Sequence, residues 1–271
     1  MRPRARKRFG QHFLAPAWAD KVVVAVDPRP GDRFLEIGPG PGVLTTRLAS
    51  RAAHVTAIEI DRDLAAGLRR SAPPNVEIVV ADILDVDLAP YLASGPLRVA
   101  GNLPYNISSP ILFKLLGLRK RGQVAFAPAG FLDATLMLQR EVADRLVARP
   151  GTKDYGVLTI LTNVHADVQR LLTLPPGAFR PAPRVHSAVV RLTFRPSRVP
   201  ADLEPLFDAM VRSMFTQRRK TLLNALRPFA DALGATAADA LAAAGIDERA
   251  RPETLDGTAL LRLAQSLKPK E

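Results

Sequence analysis

Arg33-Phe34-Leu35-Glu36-Ile37-Gly38-Pro39-Gly40-Pro41-Gly42 runs from a short apolar segment into three glycines at alternate positions. Arg33–Ile37 reads as a strand, the glycines as a tight loop, and Val43 to about Ser50 as the helix behind it. The pattern then repeats outward. Val55–Ile60 predicts a second strand with a helix after Asp61, Val76–Val80 a third, and Leu97–Ala100 a short fourth. Ile111–Leu118 predicts a helix, since the Ser-Ser-Pro before it suits a first helical turn. Thr135–Leu138 predicts a strand leading into a helix over Glu141–Ala148, and the β-branched runs Val157–Val164 and Val185–Phe194 predict two later strands. Alternation of this kind implies an α/β fold: a mostly parallel sheet with helices on both faces.

Near Arg195–Pro200 the texture changes to alanine and leucine at helical spacing, as in Leu203, Phe207, Val211 and Met214. The sequence therefore predicts a larger domain over residues 1–196 and a small all-helical domain over 197–271. The 271 residues suffice for both. Cysteine is absent, which excludes disulfides, thiolate metal sites and cysteine nucleophiles, and no histidine has metal-ligand spacing with a carboxylate. No apolar run approaches the roughly 18 residues that cross a bilayer, and no signal-peptide core follows the basic N-terminus. The expectation is a cytoplasmic monomer. With 38 basic and 26 acidic side chains the net charge is +12, which favours a polyanionic partner.

In an open α/β sheet a ligand approaches the carboxyl ends of the strands, where side-chain-free turns admit it to the backbone. A dinucleotide site spaces its glycines G-x-G-x-x-G to direct helix amides at pyrophosphate. Here Gly38, Gly40 and Gly42 alternate with prolines, a loop better suited to a ligand without phosphates. The next strand ends in Glu59, placed to accept from both hydroxyls of a ribose. The third ends in Asp82, which can accept from an adenine amine while Ile60 or Ile83 packs on the ring. Taken singly, Glu59 and Asp82 have the chemistry of helix caps or solvated strand ends. Three such features at successive strand ends together point to S-adenosylmethionine.

The fourth strand leads into Gly101-Asn102-Leu103-Pro104-Tyr105-Asn106. Alone this could be a proline-stiffened turn, but beside a nucleoside site it has a chemical reading. The lone pair of an aromatic exocyclic amine is delocalised into its ring. Two acceptors holding its N–H groups, the Asn102 side-chain oxygen and the Leu103 carbonyl, would draw the nitrogen toward a tetrahedral shape and aim the lone pair at an activated methyl. Pro104 would fix the turn and Tyr105 would offer a ring on which a base stacks.

Lys7–Leu14, Glu36–Gly42, Asn102–Ser108, Pro175–Pro181, Val185–Val190 and Arg218–Asn224 all resemble, in order, motifs of the ribosomal RNA adenine dimethylase family. The resemblance covers nearly the whole chain. It implies a Rossmann-like class I methyltransferase sheet with an antiparallel last strand and a helical C-terminal domain that binds RNA. It implies cofactor contacts at His12, Leu14, Gly38, Glu59, Asp82 and Asn102, and a role for Phe179 in sandwiching the target adenine with Tyr105. Position 12 is commonly Asn in the family, whereas this chain carries His12. The members it most resembles dimethylate two adjacent adenosines in the 3′-terminal hairpin of 16S ribosomal RNA, in an immature small subunit.

Arg6, Lys7 and Arg8 near the N-terminus and Arg218, Arg219 and Lys220 further on are the expected phosphate contacts, the second cluster on a helix with Leu222 and Leu223 facing inward. His54, His165 and His186 read as structural, and Phe13 and Trp18 as packing residues. Two other functions fit the same residues less well. One is a methylase acting on large-subunit RNA. The other is a ribosome-assembly factor that mainly binds, with methylation secondary.

Overall fold

The computed structural model describes residue 6 and residues 10–117 and 130–268. The chain divides into two compact units, Met1–Ala143 with Asp167–Arg195, and Asp144–Ala166 with Pro196–Glu271. One seam falls at the predicted change of texture. The second unit also takes in residues 144–166, which the sequence reading assigns to the first.

The first unit opens with a two-residue strand β1 (Phe13–Leu14) and helix α1 (Pro16–Val26). Then alternate β2 (Arg33–Ile37), α2 (Val43–Ala49), β3 (His54–Glu59), α3 (Arg62–Arg69), β4 (Val76–Val80), α4 (Ala89–Ala93), β5 (Leu97–Asn102) and α5 (Ser108–Leu115). Strand β6 (Phe131–Gln139) leads into α6 (Arg140–Leu146) and α7 (Val157–His165), and β7 (Ala166–Leu174), β8 (Phe179–Arg180) and β9 (Ser187–Phe194) follow. Among the described residues seven strands form one sheet in the order β4-β3-β2-β5-β6-β9-β7, and β1 pairs with β8 apart from it. Strands β2 to β6 pair in parallel, while β9 runs antiparallel to β6, as the family resemblance implies.

Register brings the loops together. Ile37 lies level with Ile58 on one side and Gly101 on the other, Glu59 with Val80, and Asn102 with Met137. From β2 the chain moves outward through β3 and β4, then returns to β5 on the far side of β2. That reversal opens a crevice at the carboxyl ends of β2 and β5. Gly101 keeps the two strands in register, because a Cβ there would stand 2.6 Å from the Ile37 carbonyl oxygen.

Helix α1, which the strand-led reading passes over, buries Ala19, Val22, Val23 and Val26 at helical spacing against Phe34, Leu48 and Val55. Its last carbonyls, which have no partner within the helix, accept from two arginines of the sheet: Val26 from Arg98 Nη2 at 2.7 Å and Ala25 from Arg191 Nη2 at 2.6 Å. Arg98 also pairs with Asp32 at 2.6 Å and Asp133 at 2.8 Å. Burial alone would lower its pKa, but the two carboxylates outweigh that and hold the guanidinium charged.

Val157–Val164 is helix, not strand. Its β-branched residues predict a strand only as a weak prior, and packing overrides it: Thr159, Ile160, Leu161, Thr162 and Val164 are all buried. Thr159 Oγ1 accepts from Gly156 N at 3.2 Å and donates to the Arg145 carbonyl at 2.5 Å, which fixes the helix start. The second unit is otherwise α8 (Glu204–Thr216), α9 (Leu222–Ala232), α10 (Ala237–Ala244) and α11 (Gly257–Ser266). Phe207, Met210, Val211 and Met214 form the inward stripe of α8. Among the described residues no helix is long and apolar enough to cross a membrane.

Candidate active site

The carboxyl ends of β2 to β5 and the β1 segment border an open cleft. His12, Leu14, Gly38, Gly40, Glu59, Ile60, Asp82, Ile83, Asn102, Leu103, Pro104 and Tyr105 all line it. Residues chosen from separate stretches of sequence thus converge on one space.

Glu59, the last residue of β3, is 4% exposed. Its Oε2 accepts from Gly40 N at 3.0 Å and its Oε1 from Asp61 N at 2.9 Å. One carboxylate thereby ties the glycine loop to the start of α3, while each oxygen retains a second lone pair. Burial pushes its pKa above the usual carboxylate range, and the two backbone N–H groups pull it back in part. Glu59 is not a helix cap; that role falls to Asp61, whose side chain accepts from Asp63 N. Gly40 sits at φ +55°, and a Cβ there would press on the Phe13 ring at 3.2 Å. Asp82 Oδ1 accepts from Leu84 N at 2.9 Å, an Asx turn that holds the carboxylate at the cleft edge. Ile60 remains 42% exposed, an apolar surface offered to the cleft.

Glu36 belongs to the site although the sequence reading treats it only as the start of the glycine loop. It lines the cleft while only 1% exposed. Burial pushes its pKa up to about 8; the nearby Thr45 hydroxyl offsets part of this, and the Glu59 charge adds to it. Neither Glu36 Oε2 nor Thr45 Oγ1 meets hydrogen-bond geometry with any partner among the described residues. The available signal was an acid inside the apolar run Phe34-Leu35-Glu36-Ile37.

The acceptor loop is anchored at three points. Asn102 Nδ2 donates to the His12 carbonyl at 2.6 Å. That carbonyl can only accept, so the amide nitrogen must face it and Oδ1 is left as an acceptor. Leu103 N donates to the Met137 carbonyl at 3.1 Å. The Tyr105 hydroxyl lies 2.6 Å from Ser187 Oγ. Burial raises the phenol pKa, with the Ser187 contact opposing it, so the ring stays neutral. The His12 ring stacks on Tyr105 with centroids 5.4 Å apart, and its Nδ1 contacts the Pro181 carbonyl at 2.8 Å.

The family model described as ribosomal RNA adenine dimethylase matches residues 2–268. The chain belongs to the ribosomal RNA adenine dimethylase family. Among the family's proteins, ribosomal RNA small subunit methyltransferase A of Acidithiobacillus ferrooxidans is 43% identical over 268 residues, covering 97% of this chain and 95% of that one. The protein of the same name from Xanthomonas campestris pv. campestris is 44% identical over 270 residues, with 96% and 95% covered. Two solved structures are also similar. A dimethyladenosine transferase from Plasmodium falciparum superposes with TM-score 0.74 at 26% identity, covering 93% of this chain and 96% of that one. The 23S rRNA methyltransferase ErmE superposes with TM-score 0.68 at 29% identity, covering 95% and 100%.

The structure places three of the expected residue groups differently from what the sequence implies. Phe179 does not face the cleft. It is fully buried, paired with Leu14 in the backbone and packed in the core with Leu174, Ala178 and Val22. A large ring on so short a strand gains more from apolar burial than from the surface, and as placed it gives a base no second wall. Arg6 is engaged internally: it pairs with Asp61 at 3.3 Å and with Asp63, and its backbone N–H donates to Gln11 Oε1 at 2.7 Å. Lys7 and Arg8 lie outside the described residues. Arg218, Arg219 and Lys220 occupy the turn between α8 and α9, not a helix. Arg218 donates to the Thr152 carbonyl at 3.2 Å and lies 3.7 Å from Glu253, whereas Arg219 and Lys220 are exposed.

Proposed function

We propose that this chain is a methyltransferase that uses S-adenosylmethionine to convert two adjacent adenosines in the 3′-terminal hairpin of 16S ribosomal RNA to N6,N6-dimethyladenosine. It does so as a cytoplasmic monomer on an immature small subunit, with Arg219 and Lys220 among its phosphate contacts. The observation that carries the reading is the fixed orientation of Asn102, whose Nδ2 is spent on the His12 carbonyl so that Oδ1 is an acceptor at the cleft.

The residues fit the cofactor. Glu59 can accept from the ribose hydroxyls, Asp82 from the adenine amine, and Ile60 and Ile83 can cover the ring. Glu36 Oε2 is a buried polar atom with no hydrogen-bond partner among the described residues, and the Gly40 turn leaves the backbone bare. When bound, the cofactor supplies a methyl already activated on a sulfonium, so the protein's task is placement. Asn102 Oδ1 and the Leu103 carbonyl hold the N–H groups of the target amine. Tyr105 presents a ring face to the extruded base; extrusion costs a few kcal/mol, and less in an unpaired loop. As the nitrogen takes the methyl, the carbon–sulfur bond of the sulfonium would break with its electron pair passing to sulfur, leaving S-adenosylhomocysteine, and the amine would lose one N–H proton to solvent.

Identity over the full length is higher to the small-subunit enzymes, at 43–44%, than to the large-subunit enzyme, at 29%. The test is methyl transfer from labelled cofactor to undermethylated small subunits, to large subunits and to naked RNA, with nucleoside analysis of the product. Dimethyladenosine in small-subunit RNA is the expected result. Label confined to large subunits would overturn the substrate assignment, and binding without label would leave an assembly factor.

A further inference from the structure

We propose that Ser187 is a positioning residue for methyl transfer, acting through the ring of Tyr105. The inference rests on the reading of Tyr105 as the ring against which the acceptor base stacks.

Tyr105 follows the acceptor pair directly in sequence, but the backbone of its loop does not determine where the ring points. Two contacts do. At the edge, the phenol oxygen lies 2.6 Å from Ser187 Oγ. On one face, the His12 ring stacks with an interplanar angle of 26°. Ser187 is fully buried and is the first residue of β9, paired with Gln139 of β6. The residue before it is pinned as well, because the His186 carbonyl accepts from Arg140 N at 2.9 Å. The serine hydroxyl is therefore a rigid post on the sheet, while Tyr105 is only partly buried at the cleft wall.

His12 covers one face of the tyrosine, so a base can stack only on the other. Phe179 is buried in the core and supplies no opposing ring to correct a misplaced base. The plane of Tyr105 then sets the plane of the adenine, and with it the direction of the amine lone pair. Removing the Ser187 hydroxyl would free the phenol end to swing while leaving stacking area, cofactor contacts and the Asn102–Leu103 acceptors in place.

The test compares Ser187→Ala, Tyr105→Phe, the double variant and Tyr105→Ala with the wild-type full chain, using undermethylated small subunits and S-adenosylmethionine. The first three should each lower kcat by about 10-fold, within the loss a sub-ångström misplacement can carry. The double variant should be no worse than either single one. Cofactor Kd and the KM for subunits should stay within twofold. Multiplying losses in the double variant, or a lower melting temperature with unchanged kcat, would make the contact merely structural and overturn the proposal. Should Ser187→Ala fail to fold, Tyr105→Phe decides alone, since it keeps the ring and removes only the hydroxyl; wild-type kcat there overturns the proposal. Tyr105→Ala separates the two readings. If it is impaired while Tyr105→Phe and Ser187→Ala are normal, only the role of Ser187 falls. If it is fully active, the stacking reading falls and takes the proposal with it.

Discussion

Replacing Glu59 by Gln tests the cofactor assignment with the least change of shape. Each oxygen of this carboxylate already holds one backbone N–H, from Gly40 at 3.0 Å and from Asp61 at 2.9 Å, and in the proposed complex accepts a ribose hydroxyl besides. An amide retains one acceptor oxygen. Its NH2 group would face one of those N–H groups, donor against donor, and could no longer accept from one hydroxyl. A hydrogen bond to a charged group is worth about 1.5–3 kcal/mol, which at about 1.4 kcal/mol per decade predicts a loss of roughly 10- to 150-fold in cofactor affinity. The apo protein should suffer less, because two effects oppose. One backbone hydrogen bond is lost, but so is a buried charge whose pKa is raised by desolvation. Calorimetric titration with S-adenosylmethionine and S-adenosylhomocysteine, beside urea unfolding of the apo form, measures both. Affinity within threefold of wild type would refute the assignment. Glu59→Ala should abolish methylation; if it still binds subunits, catalysis and binding are separable roles.

Glu36→Gln should remove a pH dependence of stability. The folded carboxyl keeps its proton up to about pH 8, whereas the unfolded one ionises near 4.5. Wild type should therefore lose stability, on the order of a few kcal/mol, as pH rises through that window. Urea unfolding from pH 5 to 9 should show the wild-type-minus-variant difference falling with pH, and a flat difference would count against a buried protonated acid. Gly101→Ala places a Cβ 2.6 Å from the Ile37 oxygen and should destabilise by about 1–3 kcal/mol through strand separation. A melting temperature within 1 °C or so of wild type would show that the strands yield freely. Arg219→Ala with Lys220→Ala should weaken subunit binding and reduce the salt dependence by about two ions released. Turnover at saturating subunits should hold, and a large fall there would make these residues more than phosphate contacts.

How much of this was legible depended on the range of the interaction. Strand ends at Ile37 and Val80 were readable to the residue, and those at Glu59 and Asn102 to within one and two residues, because glycine and acidic residues interrupt apolar runs there; parallel register then brings them level without further information. Helix α7 was not readable, since Val157-Leu158-Thr159-Ile160 has strand composition and only packing in the second unit makes it helical. The role of Phe179 came only with the family resemblance, and nothing local announces that Leu174, Ala178 and Val22 enclose it. The charge clusters were readable as charge but not as availability. Arg6 has Asp61 and Asp63, and Arg218 has Thr152 and Glu253, as partners distant in sequence.

The same distinction bears on how one loop could serve two successive methylations. An unmodified adenine amine has two N–H groups for two acceptors, Asn102 Oδ1 and the Leu103 carbonyl. After the first methyl it has one, so one acceptor must go unmatched while the pocket takes in an added carbon. Hydrogen bonding to the amine therefore cannot supply the same placement twice. What does not change between the two steps is the base ring and the surface that holds it. A tyrosine fixed at its hydroxyl by Ser187 and on one face by His12 would, on the proposed reading, present the same plane to adenine and to methyladenine. On the proposed reading the acceptors would select an aromatic amine, and the clamped ring would be what remains to aim it once half of that selection has been consumed.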